Sequence, residues 1–105
     1  MDEKVREALL LEAEQGDRDA QYGLGQYYDR GFRLGFGFED IDGIPPDIYW
    51  YRKAAEQGQV EAQFHLGQHY RRGLGVEKDS KQAAYWFRKA AEQGHERAKD
   101  KAKSQ

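Results

Sequence analysis

The decapeptide YWYRKAAEQG at 49–58 recurs as YWFRKAAEQG at 85–94, with Tyr51 and Phe87 the one difference. Trp50 and Trp86 are 36 residues apart. Upstream, GDRDAQYGLGQYYDRG at 16–31 aligns with GQVEAQFHLGQHYRRG at 58–73, and nine of the sixteen positions are identical. A period of this length marks a stack of short supersecondary units, none of which can bury its apolar face alone. Most other architectures are thereby excluded, and a binding scaffold becomes the leading functional class.

The chain of 105 residues is long enough for one continuous core. Its mean hydropathy of −1.08 would suit a disordered chain, but 13% of its residues are aromatic and they recur at matched positions in the two units. A thin repeated core under a large polar surface is the expected result. There is no cysteine, which removes disulfides and thiolate metal sites. No apolar run approaches the ~20 residues of a membrane span, and the opening MDEKVREALLLEAE does not read as a signal peptide. A soluble cytoplasmic protein is the expectation.

The cleaner second unit shows the design. Ala62, Phe64, Leu66 and Tyr70, with small Gly67, fit one helix ending near Arg72. Gly73 suits a left-handed helix end. Asp79 to Gln82 offers a start signal for a second helix running to Gln93, where Gly94 stops it. The expected fold is all-α, an α-solenoid of antiparallel helix pairs with about six helices in the order B-A-B-A-B-A. A single domain over 1–105 divides into a half-unit helix at 2–15, a first repeat at 16–57 and a second at 58–93. A capping half-unit fills 94–105. Gly25 and Gly67 inside the A helices predict close helix approach, with Ala54, Ala55, Ala90 and Ala91 opposite them.

The first unit departs from this pattern by six extra residues, in an inserted loop at 31–47 that reads GFRLGFGFEDIDGIPPD. Phe32, Leu34, Phe36 and Phe38 alternate with Arg33, Gly35 and Gly37, so an extended backbone would place the four apolar groups on one side. Such a segment either folds back over the helix stack or contacts a partner. Pro45 and Pro46 delay the next helix, being tolerated only in its first turn. Asp40-Ile-Asp42-Gly43 lacks the third alternating acid and the terminal Glu of a calcium loop and reads as a solvated turn.

The run Ala62-Gln-Phe-His-Leu-Gly67, then Tyr70, Gly73-Leu-Gly-Val76, Asp79, Ala83 and Trp86-Phe-Arg-Lys-Ala-Ala-Glu-Gln-Gly94, resembles the Sel1-like repeat, a relative of the tetratricopeptide repeat. The resemblance implies A helices lining a concave surface and adaptor or scaffold roles in protein assembly and signalling. It places Tyr27, Arg30, His65, His69 and Arg72 toward that surface. Those residues would give polar and cationic contacts to a protein or peptide partner, and Phe32, Leu34, Phe36 and Phe38 would give apolar ones.

Chemistry has little support in the residues. His65 and His69 share a helix face, but two imidazoles without the Glu of HExxH make a weak metal site. The abundant carboxylates are expected on solvent-facing positions with ordinary acidity. No catalytic constellation or phosphate-cradling loop is present, so neither an enzyme nor a cofactor is expected. Residues 1–58 carry 13 acidic and 7 basic groups against 6 and 10 in 59–105. The acidic half disfavours nucleic acid, and the polarity permits weak self-association or stacking into a longer solenoid.

Overall fold

A computed structural model describes residues 3–103; Asp2, expected to open the first helix, and Ser104 and Gln105 of the expected cap lie outside the described residues. Six helices follow in order: α1 (Glu3–Glu14), α2 (Arg18–Arg33), α3 (Pro46–Glu56), α4 (Val60–Arg72), α5 (Ser80–Glu92) and α6 (Glu96–Lys103). Helices adjacent in sequence pack side by side, and α2 also meets α4 directly. The body is elongated, 40 × 25 × 22 Å. Among the described residues there is no strand, only an isolated bridge between Ile41 and Ile44. The fold is the all-α helical-repeat solenoid expected from the repeat.

Local signals set the helix ends. Asp17 accepts from the N–H groups of Asp19 and Ala20 to start α2, and Asp79 accepts from Lys81 and Gln82 to start α5. Gly16, Gly58 and Gly94 follow the three B helices with φ of 101°, 87° and 91°, which the repeated EQG supplies at no steric cost. The repeated glutamines then tie units together. Gln21 donates to the Ala13 carbonyl and accepts from Gln57, and Gln63 donates to the Ala55 carbonyl and accepts from Gln93. Each A helix thus satisfies a carbonyl near the end of the preceding B helix and holds the next one.

The tryptophans explain why the units stand or fall together. Trp50 of α3 packs with Ala13, Ala20 and Leu24 of the first two helices. Trp86 of α5 packs with Ala55, Ala62 and Leu66 of the next two. Each large ring is therefore buried against the helix pair before its own, and removal of one pair exposes the ring of the next.

Gly25 and Gly67 do mark close approach, but the facing groups are rings and not the alanines expected. A Cβ on Gly25 would lie 2.4 Å from Tyr51 Cδ1, and one on Gly67 would lie 2.8 Å from Phe87 Cδ1. Gly25→Ala gains up to about 1 kcal/mol of helix propensity, while overfilling a packed core costs about 1–3 kcal/mol. Tyr51 is buried and hydrogen-bonded, so the second effect wins. Urea denaturation is expected to find Gly25→Ala less stable by about 1–2 kcal/mol, and unchanged or higher stability would refute the packing argument.

The insert differs most from expectation. The backbone stays helical to Arg33, so Phe32 belongs to α2, and the left-handed turn falls at Gly35 (φ 92°) instead of Gly31. Gly31 remains helical because the Phe38 ring lies on it, 2.5 Å from where a Cβ would be. Phe38 packs edge-on against Tyr28 and Phe32, at 5.0 and 5.2 Å between centroids. Leu34 and Phe36 point outward and are 70% and 62% exposed. The period-two reading fails because the segment is not extended: Phe32 is still helical, Phe38 turns back onto α2, and Leu34 and Phe36 face solvent. After them, Asp42 (φ 52°) and Gly43 (φ 79°) form a two-residue turn of the primed type, closed by the paired backbone bonds of Ile41 and Ile44.

A cleft with a buried polar floor

Between the insert and the α4–α5 loop lies a cleft of about 450 Å³. Phe32, Phe38, Pro45 and Leu74 supply apolar walls, and Asp29, Asp47 and His69 reach it from three different helices. Those three polar residues are buried. Helix α2 runs three residues further than α4 (16 residues against 13), which brings Arg33 one turn beyond Asp29. The late start of α3 after Pro45 puts Asp47 in its first turn.

Asp29 is the hub. Tyr51 donates its hydroxyl to Asp29 Oδ2 at 3.0 Å. His69 Nε2 lies 3.6 Å from the same oxygen, and Arg33 Nε lies 3.4 Å from Oδ1. On its other side His69 Nδ1 is 2.9 Å from the Leu74 carbonyl, so that nitrogen carries the proton and donates it. Burial pushes the Asp29 carboxyl toward the neutral form, but the His69, Tyr51 and Arg33 contacts outweigh it and hold Asp29 below the ordinary carboxylate range. Burial likewise opposes charge on His69, yet bonds to Asp29 and Leu74 raise its affinity for a proton. Asp47 lacks such compensation. Its burial raises the carboxyl above the ordinary value, only partly offset by His69 and the N–H of Ile48. Among the described residues, Asp47 Oδ1 has no hydrogen-bond partner.

Two expectations are corrected here. His69 is 5% exposed and faces the interior, because its side chain is clamped between Asp29 and Leu74; it does not present a polar group to the surface. Asp29 and Asp47 are not solvent-facing carboxylates either, since the polar floor lies beneath the insert. His65 is half-buried, stacked on Tyr51 at 5.3 Å and tilted against Tyr22, and burial lowers its proton affinity. Tyr27 is half-buried against Tyr28 and Phe38. Arg30 and Arg72 are exposed, as are Leu34 and Phe36, whereas Phe32 and Phe38 are half-buried. Of the nine residues singled out from sequence, Phe32, Phe38 and His69 come together at the cleft.

The sequence matches the Sel1 repeat family over residues 18–47, 48–59 and 60–95. The chain belongs to the Sel1 repeat family. A Sel1 repeat protein from Oxalobacter formigenes superposes with a TM-score of 0.77 at 37% identity, covering 92% of this chain and 68% of that one. A protective antigen present in uropathogenic Escherichia coli strains, with the same helical-repeat fold, also gives 0.77 at 37% identity, covering 92% of this chain but 20% of the antigen. The search of curated proteins returned no match. Sel1 repeat proteins are typically non-enzymatic, in keeping with a site built from core-facing side chains. No helix among the described residues is long and apolar enough to cross a membrane.

Proposed function

We propose that this Sel1 repeat chain is a cytoplasmic scaffold that holds a protein or peptide partner on the insert and the adjoining A-helix surface. Repeats of this family commonly mediate protein–protein contacts. The single observation behind the reading is the exposure of Leu34 and Phe36 at the bend after α2. The insert had aromatic shelter within reach, which Phe38 takes, and these two side chains do not use it. Large apolar groups left outward beside a cleft are the usual anchors of an interface. Exposed Arg30, Arg33 and Arg72 add positive charge, so a partner segment combining apolar and acidic residues fits best.

The test is a pull-down from the source cell with wild type and with Leu34→Ser/Phe36→Ser. The double variant is expected to keep its helical circular dichroism and lose at least tenfold in partner recovery. Equal recovery would remove the insert from the interface. Self-association is the second reading, favoured by Leu11 standing 63% exposed on α1. Light scattering of the same samples over a concentration series separates the two: growth in mass supports stacking of copies, and a strict monomer ends it.

A further inference from the structure

The two units provide an internal control on what this backbone needs. Asp47 stands at the position of Ala83, and Tyr51 at that of Phe87, by the 36-residue offset of the tryptophans. Ala83 and Phe87 are fully buried and wholly apolar, so a methyl and a phenyl group suffice at these places in the helix pair. The first unit has instead put a carboxylate and a hydroxyl there, one turn apart on α3. Asp29, in turn, stands where the second unit has Arg71. Three departures from the repeat thus converge on one point, where His69 joins them from α4.

We infer that Asp29, Asp47 and His69 form a site for a first-row divalent cation of the zinc type. One ligand atom from each lies within 4.8 Å of the others, and all three residues are buried. A tetrahedral ion with bonds of about 2.05 Å needs its ligands about 3.3 Å apart, so rotamer adjustments of an ångström or so complete the set. The His69 tautomer is already fixed for the purpose. Its Nδ1–H donates to the Leu74 carbonyl, which leaves Nε2 to face the carboxylates, the outer-shell arrangement usual for metal-bound imidazole. Tyr51 does the same for Asp29 by donating to Oδ2.

The observation that points to a ligand, beyond the cluster itself, is Asp47. It is 4% exposed, and its Oδ1 has no hydrogen-bond partner among the described residues. A structural polar network would satisfy that oxygen, as Tyr51, His69 and Arg33 satisfy Asp29. A cation supplies what is missing. Two carboxylates and one neutral imidazole balance a divalent charge, and the cleft leaves a fourth position for water. Calcium, which takes 6–8 oxygen ligands, fits poorly. The Arg33 guanidinium competes for Asp29, but its side chain is 69% exposed and can swing into solvent.

The test is isothermal titration of the chelator-treated 105-residue chain with zinc chloride, repeated with cobalt(II) to read visible d–d bands. One equivalent is expected to bind, with a rise in melting temperature. Asp47→Ala restores the second unit's own residue and so keeps the fold. It is expected to weaken binding at least tenfold, as are Asp29→Asn and His69→Gln, while His65→Gln leaves binding intact. No heat and no thermal shift in wild type would overturn the site. Binding unchanged in Asp47→Ala would also overturn it, by moving the ion to another pair such as His95 and Glu61, 3.1 Å apart.

Discussion

Phe64→Ala is expected to lower the free energy of unfolding by about 3–5 kcal/mol, the usual result of emptying a buried phenylalanine site. Phe64 is almost completely buried and joins three helices. Its ring stacks on His95 at 4.5 Å and tilts against Phe87 at 5.7 Å, and the Arg97 guanidinium lies 4.8 Å from its centroid. Two of those contacts hold α6. That helix has eight residues, well under the ~12–15 at which an isolated helix becomes even marginal in water, so its order comes from docking. Amide exchange across α6 is therefore expected to quicken more than exchange in α2 or α3. Since a domain of this kind has only about 5–15 kcal/mol in total, the loss is a large share of the margin. Urea denaturation and native-state hydrogen exchange provide the measurement, with Leu11→Ala, exposed on α1, as a neutral control. A change under about 1 kcal/mol, or unaltered α6 protection, would contradict the docking account.

The fold was legible because each unit annotates the other. Gly25 with Gly67, Trp50 with Trp86 and Gln21 with Gln63 occupy matched positions, and a residue that recurs at a fixed offset is doing the same packing twice. That logic has no purchase on the insert, which has no second copy to compare. There, alternation of Phe32, Leu34, Phe36 and Phe38 suggested extended backbone, but α2 continues past Gly31 because an aromatic cluster rewards it. The cleft floor was hidden for another reason. Asp29 and His69 lie near the C-terminal ends of α2 and α4, where their burial depends on the returning insert and the α4–α5 loop, neither of which the repeat alone reveals. A signal was nevertheless present in the repeat. Tyr51 against Phe87 is the one mismatch in a ten-residue block, and Asp47 falls on the fully buried Ala83. Polar residues at positions where the sister unit is apolar thus pick out Asp47 and Tyr51 of the polar floor, whereas Asp29, opposite Arg71, gives no such signal.

The same comparison predicts a stabilising substitution. In chelator-treated protein at neutral pH, Asp47→Ala is expected to raise unfolding stability. The gain is about 1–3 kcal/mol from removing a buried carboxylate with one oxygen left without a hydrogen-bond partner, less about 0.3–1 kcal/mol for losing an acid at a helix start. Ala83, fully buried at the matched position, shows that this place in the helix pair accepts a methyl group. The pH dependence follows from the Asp47 carboxyl, whose pKa burial raises in the folded state. Between the unfolded value of about 3.9 and the folded one, the native protein binds more protons than the unfolded chain. Stability therefore falls as pH rises through that window, and the penalty is absent below it. The advantage of the variant should be full above Asp47's folded pKa and shrink as pH drops toward about 4. Two neighbours respond as well: His69 loses a charge that raises its pKa, and Asp29 loses a like charge. The His69 contribution has the opposite placement to an ordinary acid's, being complete below about 6.5 and fading as pH climbs through its raised value. Removing Asp47 shrinks that contribution where His69 is protonated, which trims the gain below the raised His69 value and leaves it untouched above. Urea titrations of wild type and variant from pH 4.5 to 8 would trace the difference. An advantage independent of pH would mean that Asp47 is not an ionised, uncompensated carboxylate, and a loss of stability would mean that the folded protein already neutralises it.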